Sequence, residues 1–264
     1  MDKLLDSSKK SFGDWGTALS TNDLMLNIRK NLSDNGFQKG NSRLVFSVCP
    51  DDVNRLEEID TVENSITKKY NGEFHLGGLG AYPMGGVSGI IAASHHPPED
   101  TMGDDHKHGN LIFFVSPHMG IAIDDAGNEL YGKILRPGQT KLTNSCGAMM
   151  GFLVALKECG SPEAFTIAAD TTNTDPTRIA LHYELINNYS DRLKAILSVE
   201  NSNQQVVDLF KLNYDVVMNK INQMINIFLE KEKEHFKGKI ALIGGIIINV
   251  PGGDRFVLKE ISYP

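Results

Sequence analysis

The sequence predicts an α/β fold, a central sheet flanked by helices. Apolar, β-branched runs at residues 43–48, 110–115 and 239–250 read as buried strands. Long stretches between them carry apolar residues every three or four positions, the period of a helix packed on one face. With 264 residues, 41% of them apolar, and neither a repeat nor a linker, one domain spanning 1–264 is expected.

In chain order, residues 1–20 are polar, hold two glycines and show no period, and so read as an arm. Residues 21–35 form a helix stopped by Gly36. The strand at 43–48 ends at Cys49, and Pro50 with two aspartates then starts a helix expected to reach Tyr70. Residues 72–92 are dense in glycine. This is no phosphate loop, since Gly-Lys-Ser/Thr is absent and Pro83 stands where a dinucleotide fingerprint needs its third glycine. Such glycines let the backbone pass close to another chain segment or a small ligand. Ser94-His95-His96-Pro97-Pro98 makes a stiff turn, and the charged residues 99–109 read as a loop. The strand at 110–115 leads into Ser116-Pro117-His118, and a polar connection runs to Asn144. Cys146 opens a helix with Met150, Leu153 and Leu156 on its inner side. Helices at 176–197 and 203–235 follow. In the second, Val207, Phe210, Tyr214, Val217, Ile221, Met224 and Phe228 make a buried stripe, and strands at 239–250 and 255–261 close the chain.

The net charge of −7 argues against nucleic acid or an anionic membrane as the main partner. The N-terminal residues lack the apolar core of a secretory signal, and the apolar run at 240–250 is too short to span a bilayer, so a cytoplasmic protein is expected. Three cysteines in such a chain suggest thiols rather than a disulfide framework.

The chemistry collects at element ends. Cys49 closes one strand, His118 follows another, and Cys146 begins a helix, where backbone N–H groups and the dipole lower a thiol's pKa. Functional groups of open α/β sheets gather at the carboxyl ends of strands. Two thiolates and an imidazole suit zinc and leave a fourth position open. Cys159 is assigned to the core. Asp51 and Arg55 stand four apart just past Cys49, so that the arginine can fork onto the aspartate and keep it ionised. Of the remaining histidines, His75, His95 and His96 flank the glycine-rich segment, His106 and His108 sit in the charged loop, and His182 and His235 read as ordinary helix residues. Two other uses of these residues are a closed or sensing zinc site with Asp51 as a fourth ligand, and a hydrolase with Cys146 as nucleophile and His118 as base.

Four segments, Phe74-His75-Leu76-Gly77-Gly78, residues 83–89 (Pro-Met-Gly-Gly-Val-Ser-Gly), residues 116–121 (Ser-Pro-His-Met-Gly-Ile) and Ser145-Cys146-Gly147-Ala148, resemble the limiting-carbon-dioxide-inducible proteins of microalgae. The closing Gly244-Gly245-Ile246-Ile247-Ile248-Asn249 also fits. That family is described as theta-class carbonic anhydrases with a beta-class-like fold. The resemblance implies zinc on Cys49, His118 and Cys146, an aspartate–arginine dyad at Asp51 and Arg55, carbon dioxide and bicarbonate as substrate and product, and a homodimer. Cys49-Pro50-Asp51 matches the beta-class Cys-x-Asp pattern. The arginine departs from it, lying four residues after the aspartate rather than two, and Arg136, near Cys146, is the alternative partner. The beta-class His-x-x-Cys spacing is absent. Some members of the family are inactive, which leaves a catalytically silent zinc-binding scaffold or bicarbonate sensor as the second reading.

Overall fold

The computed structural model describes residues 3–57, 59–70, 73–98, 109–167 and 174–264. Its elements are α1 (Lys3–Phe12), β1 (Thr17–Ser20), α2 (Thr21–Asp34), β2 (Ser42–Val48), α3 (Val62–Thr67), β3 (Glu73–His75), α4 (Gly86–Ser94), β4 (Asn110–Ser116), β5 (His118–Ile123), β6 (Glu129–Tyr131), β7 (Lys133–Ile134), β8 (Thr143–Asn144), α5 (Gly147–Cys159), α6 (Pro176–Asn188), α7 (Ser190–Leu197), α8 (Ser202–Lys231), β9 (Ile240–Asn249) and β10 (Arg255–Ser262).

The main sheet runs β1-β10-β9-β4-β2-β3. β9, β4, β2 and β3 pair in parallel, while β10 and β1 extend the sheet antiparallel. Strands covered on both faces need apolar residues at every position, which is why β4 and β9 read as unbroken apolar runs. Side chains alternate between two cores. Leu44, Phe46, Val48, Ile112, Phe114, Ile243 and Ile247 pack with Leu24, Ile28 and Leu32 of α2 and Val62 and Ile66 of α3. Val45, Phe113, Val115, Leu242, Ile246 and Ile248 face the other way, onto α5 and the Val207-Phe210-Val217-Ile221-Phe228 stripe of α8.

β5 continues the path of β4 along the same side of β9. Leu111 to Val115 pair with Ile240 to Gly244, and His118 then pairs with Ile247. Pro117 cannot donate to a ladder, but its carbonyl and the Ser116 hydroxyl both accept from the Ile247 N–H, each at 3.0 Å. This join sets His118 at the carboxyl end of the parallel strands, opposite Ile247 and within side-chain reach of Asn249.

Four local expectations are corrected. Residues 3–20 are not a loose arm. Phe12 is buried, Trp15 meets Tyr214 edge-on at 5.0 Å, and β1 pairs with β10. No continuous helix runs from Asp51 to Tyr70. A 3-10 turn (Asp52–Arg55) ends where Leu56 turns extended, and α3 starts afresh with Thr61 as its cap. The polar connection after His118 contains β5 to β8, whose pairing is tertiary and leaves no periodic signal. The helix expected at 176–197 is broken at Tyr189, which turns out of helical geometry between α6 and α7. The charged loop at 99–109, with His106 and His108, lies outside the described residues apart from Gly109.

Candidate metal centre

Strand ends and a helix start bring the three proposed ligands together. Cys49 follows β2, His118 opens β5, and Cys146 is the cap residue of α5. All three are buried, and their ligand atoms lie within 4.8 Å of one another. The two sulfurs are 3.7 Å apart. Two thiolates about 2.3 Å from one zinc in a tetrahedron sit about 3.8 Å apart, so the pair already has the required spacing. His118 Nδ1 is engaged with Asn249 Oδ1 at 2.7 Å. Its Nε2 is buried with no hydrogen-bond partner among the described residues. An orphaned imidazole nitrogen beside two thiols is what a metal would satisfy, and the donor set fits zinc.

The thiols differ in character. The hydrogen bond with Cys49 and then the Met149 and Ala148 N–H groups at the start of α5 lower the Cys146 pKa against the effect of burial. Cys49 is pushed well above the usual thiol range, by its hydrogen bond with Cys146 and by burial. Burial pulls His118 down, but the Cys49 thiol and the Asp51 carboxylate more than offset it, so its pKa is raised. A bound metal would take the place of the thiol protons in this cluster.

Asp51 lies beside the ligands, its Oδ2 3.7 Å from His118 Nε2. Its partner is Arg136, not Arg55. Arg136 Nη1 donates to Oδ1 at 2.7 Å and Nη2 to Oδ2 at 3.0 Å, a two-pronged grip. Arg136 also touches Asp52, and it is oriented by Thr143 Oγ1 and the Asn144 carbonyl on β8. Burial pushes Asp51 up, but the Arg136 guanidinium and the His118 charge outweigh it, and its carboxyl is held below the usual range.

The expectation that Arg55 forks onto Asp51 is thus corrected. The chain between them is a 3-10 turn, capped by Asp51 Oδ1 on the Val53 N–H, so the four-residue spacing does not set the two side chains together. Arg55 Nε donates to Glu63 Oε1 at 2.6 Å and its Nη2 to His75 Nδ1 at 3.0 Å. Cys159, expected in the core, is exposed at the end of α5, away from the cluster. His95 lies by Glu232, His96 is exposed, His182 packs on Phe152 and His235 is exposed beyond α8. The glycine-rich segment does make the close approach its composition implied. A Cβ on Gly77 would collide with the backbone of Val48, one residue before Cys49.

Four residues beside the ligands escaped the sequence reading. Asn54 Nδ2 donates to the Cys49 carbonyl at 3.0 Å, Ser145 Oγ donates to Asn249 Oδ1 at 3.2 Å, and Asn249 Nδ2 donates to Asn54 Oδ1 at 3.2 Å and Asp254 Oδ1 at 3.1 Å. Burial pushes the Asp254 pKa up to about 7, although Val62 N–H and Asn249 donate to it. The one signal in the sequence was a polar residue, Asn249, closing an otherwise apolar buried strand.

Comparisons with known proteins bear on the fold and the family. The chain is 25% identical to PtLCIB4, a homolog of the limiting CO2-inducible protein LCIB, with a TM-score of 0.74 over 98% of this chain and 94% of that one. The structure of LCIB itself matches at 17% identity and a TM-score of 0.65, over 94% of this chain and 93% of that one, a likeness of fold. No curated protein matches. The family described as limiting CO2-inducible proteins B/C, beta carbonic anhydrases, matches residues 18–263, and this chain therefore belongs to that family.

Proposed function

We propose that the protein is a zinc-dependent carbonic anhydrase, catalysing reversible hydration of carbon dioxide to bicarbonate. The observation that carries the reading is the buried Cys49–His118–Cys146 triangle with its orphaned Nε2, flanked by an ionised Asp51. These three residues would hold the metal, which when bound supplies the Lewis acidity that makes water nucleophilic near neutral pH. Everything else falls to the chain. Arg136 engages both Asp51 oxygens, which keeps the carboxylate ionised and restrains it from serving as a fourth ligand. Held there, Asp51 can accept a hydrogen bond from a reacting water and fix its lone pair toward the carbon of the substrate. Thr143 and Asn144 on β8 hold Arg136, so the ribbon of β7 and β8 acts as the support of the dyad.

Purified protein should carry about one zinc per chain by elemental analysis and hydrate carbon dioxide in a stopped-flow assay, and His118→Ala or Cys146→Ser should lose both. Full zinc content in Cys146→Ser would defeat the ligand assignment. Zinc bound without hydration would favour the silent scaffold or sensor. No helix among the described residues is long and apolar enough to cross a membrane, in keeping with the proposed cytoplasmic location. The family resemblance leads us to expect a homodimer, which light scattering would report as twice the chain mass. A monomer at micromolar concentration would count against it.

A further inference from the structure

Asn249 sits where the supports of all three ligands meet. It touches His118 directly, it touches Asn54, which holds the Cys49 carbonyl, and it touches Ser145, which precedes Cys146. The direction of these bonds is forced. Asn54 Nδ2 is spent on the Cys49 carbonyl, so the Asn54 group facing Asn249 is an acceptor. Asp254 Oδ1 accepts from the same nitrogen of Asn249 at 3.1 Å, and its Oδ2 accepts the Val62 N–H at 3.0 Å. With acceptors on that side, Asn249 turns its NH2 toward them and its Oδ1 toward His118. An acceptor at 2.7 Å from His118 Nδ1 requires the ring proton there, and leaves the Nε2 lone pair facing Cys49 and Cys146.

We propose that Asn249 and Asp254 are positioning residues for the metal. They place the proton of His118 on Nδ1, present Nε2 as the ligand atom, and tie the segments carrying all three ligands to one buried amide. This rests on the reading that the site binds zinc. Outer partners of this kind orient the ligands and typically change metal affinity about 10–100-fold.

The substitution Asp254→Asn reverses the polarity at the anchor. The amide it introduces keeps its oxygen for the Val62 N–H and turns its NH2 toward the NH2 of Asn249, two donors in opposition, so that Asn249 no longer satisfies both Asn54 and residue 254 and its hold on the acceptor facing His118 Nδ1 weakens. The ring proton is then free to shift to Nε2, where it competes with metal. Competition against a chromogenic zinc chelator should show about 10–100-fold weaker zinc binding. The exchange variant, Asn249→Asp with Asp254→Asn, restores the donor–acceptor order between the two positions and should recover most of the loss. A role limited to filling space predicts no such rescue. The zinc-loaded wild-type protein gives a reading that needs no variant. Long-range 15N correlation spectra should show the His118 proton on Nδ1 and zinc on Nε2. Zinc on Nδ1, wild-type affinity in Asp254→Asn, or an exchange variant no better than Asp254→Asn would each overturn the positioning role while leaving the zinc site standing. A wild-type protein that binds no zinc would overturn both.

Discussion

Two acids close together in the chain, Asp51 and Glu63, are each met by an arginine, and the two pairs behave in opposite ways. Asp51 is gripped by Arg136, 85 residues away, and stays ionised. Glu63 is met by Arg55, only 8 residues away, yet its pKa is raised, because burial outweighs the single bond it receives and its Oε2 has no hydrogen-bond partner among the described residues. The difference lies in geometry. Arg136 engages both carboxylate oxygens and is itself braced by β8, while Arg55 offers one nitrogen to Glu63 and spends another on His75. Each acid meets an arginine, one distant in sequence and one near, and the number and orientation of donors decide whether burial is outweighed.

The largest expected effect follows from exchanging the roles. Arg136→Ala should lower hydration at saturating zinc about 100-fold or more, because Asp51 loses its hold and is free to close the site, and Asp51→Ala should be similarly poor. The double variant should be little worse than either, since the residues act as a unit. Arg55→Ala should keep near-wild-type turnover. Equal losses from Arg136→Ala and Arg55→Ala would erase the contrast.

A smaller effect sharpens it by sign. Asp51 has a lowered folded-state pKa, so its contribution to stability is present above the carboxylate's unfolded pKa and is lost as pH falls through the lower folded value. Glu63 has a raised one, so its contribution is present below its unfolded pKa and is lost as pH rises through the higher folded value. In urea titrations of metal-free protein across the acid range, Asp51→Asn should therefore fall behind wild type as pH rises, whereas Glu63→Gln should gain on it. Parallel pH trends in the two variants would show that the pairs are not opposed. The smallest effect belongs to Cys159→Ser. Lying exposed and apart from the cluster, it should change stability by no more than about 0.5 kcal/mol and leave zinc content intact, and loss of metal there would mean that the wrong thiols had been chosen.

What the sequence revealed follows from which interactions are local. β2, β4 and β9 were legible because burial on both faces demands continuous apolar residues. α2 and α8 were legible from a stop at Gly36 and a stripe of helical period. The cluster of Cys49, His118 and Cys146 was legible because each stands at an element end. β1 was not, since its pairing partner lies some 240 residues later in β10, and neither was the Asp51–Arg136 pair, whose members meet only when the β7–β8 ribbon folds over the sheet. The 3-10 turn after Asp51 removed the helix that would have put Arg55 on the same face. Thr61, a capping residue ahead of α3, was the available sign that a new helix begins there.

The position of β9 in the sheet has a consequence for biogenesis. β2 and β4 emerge from the ribosome early, but the strand that covers the open side of β4 is made about 130 residues after it. Until then a long apolar edge lies unpaired, the kind of surface that invites association with other nascent chains. The histidine's anchor, Asn249, arrives with the same late strand. Assembly of the candidate metal centre therefore waits for synthesis of β9, and a chain ending before residue 240 would present chaperones with a half-built sheet that also lacks the anchor of His118.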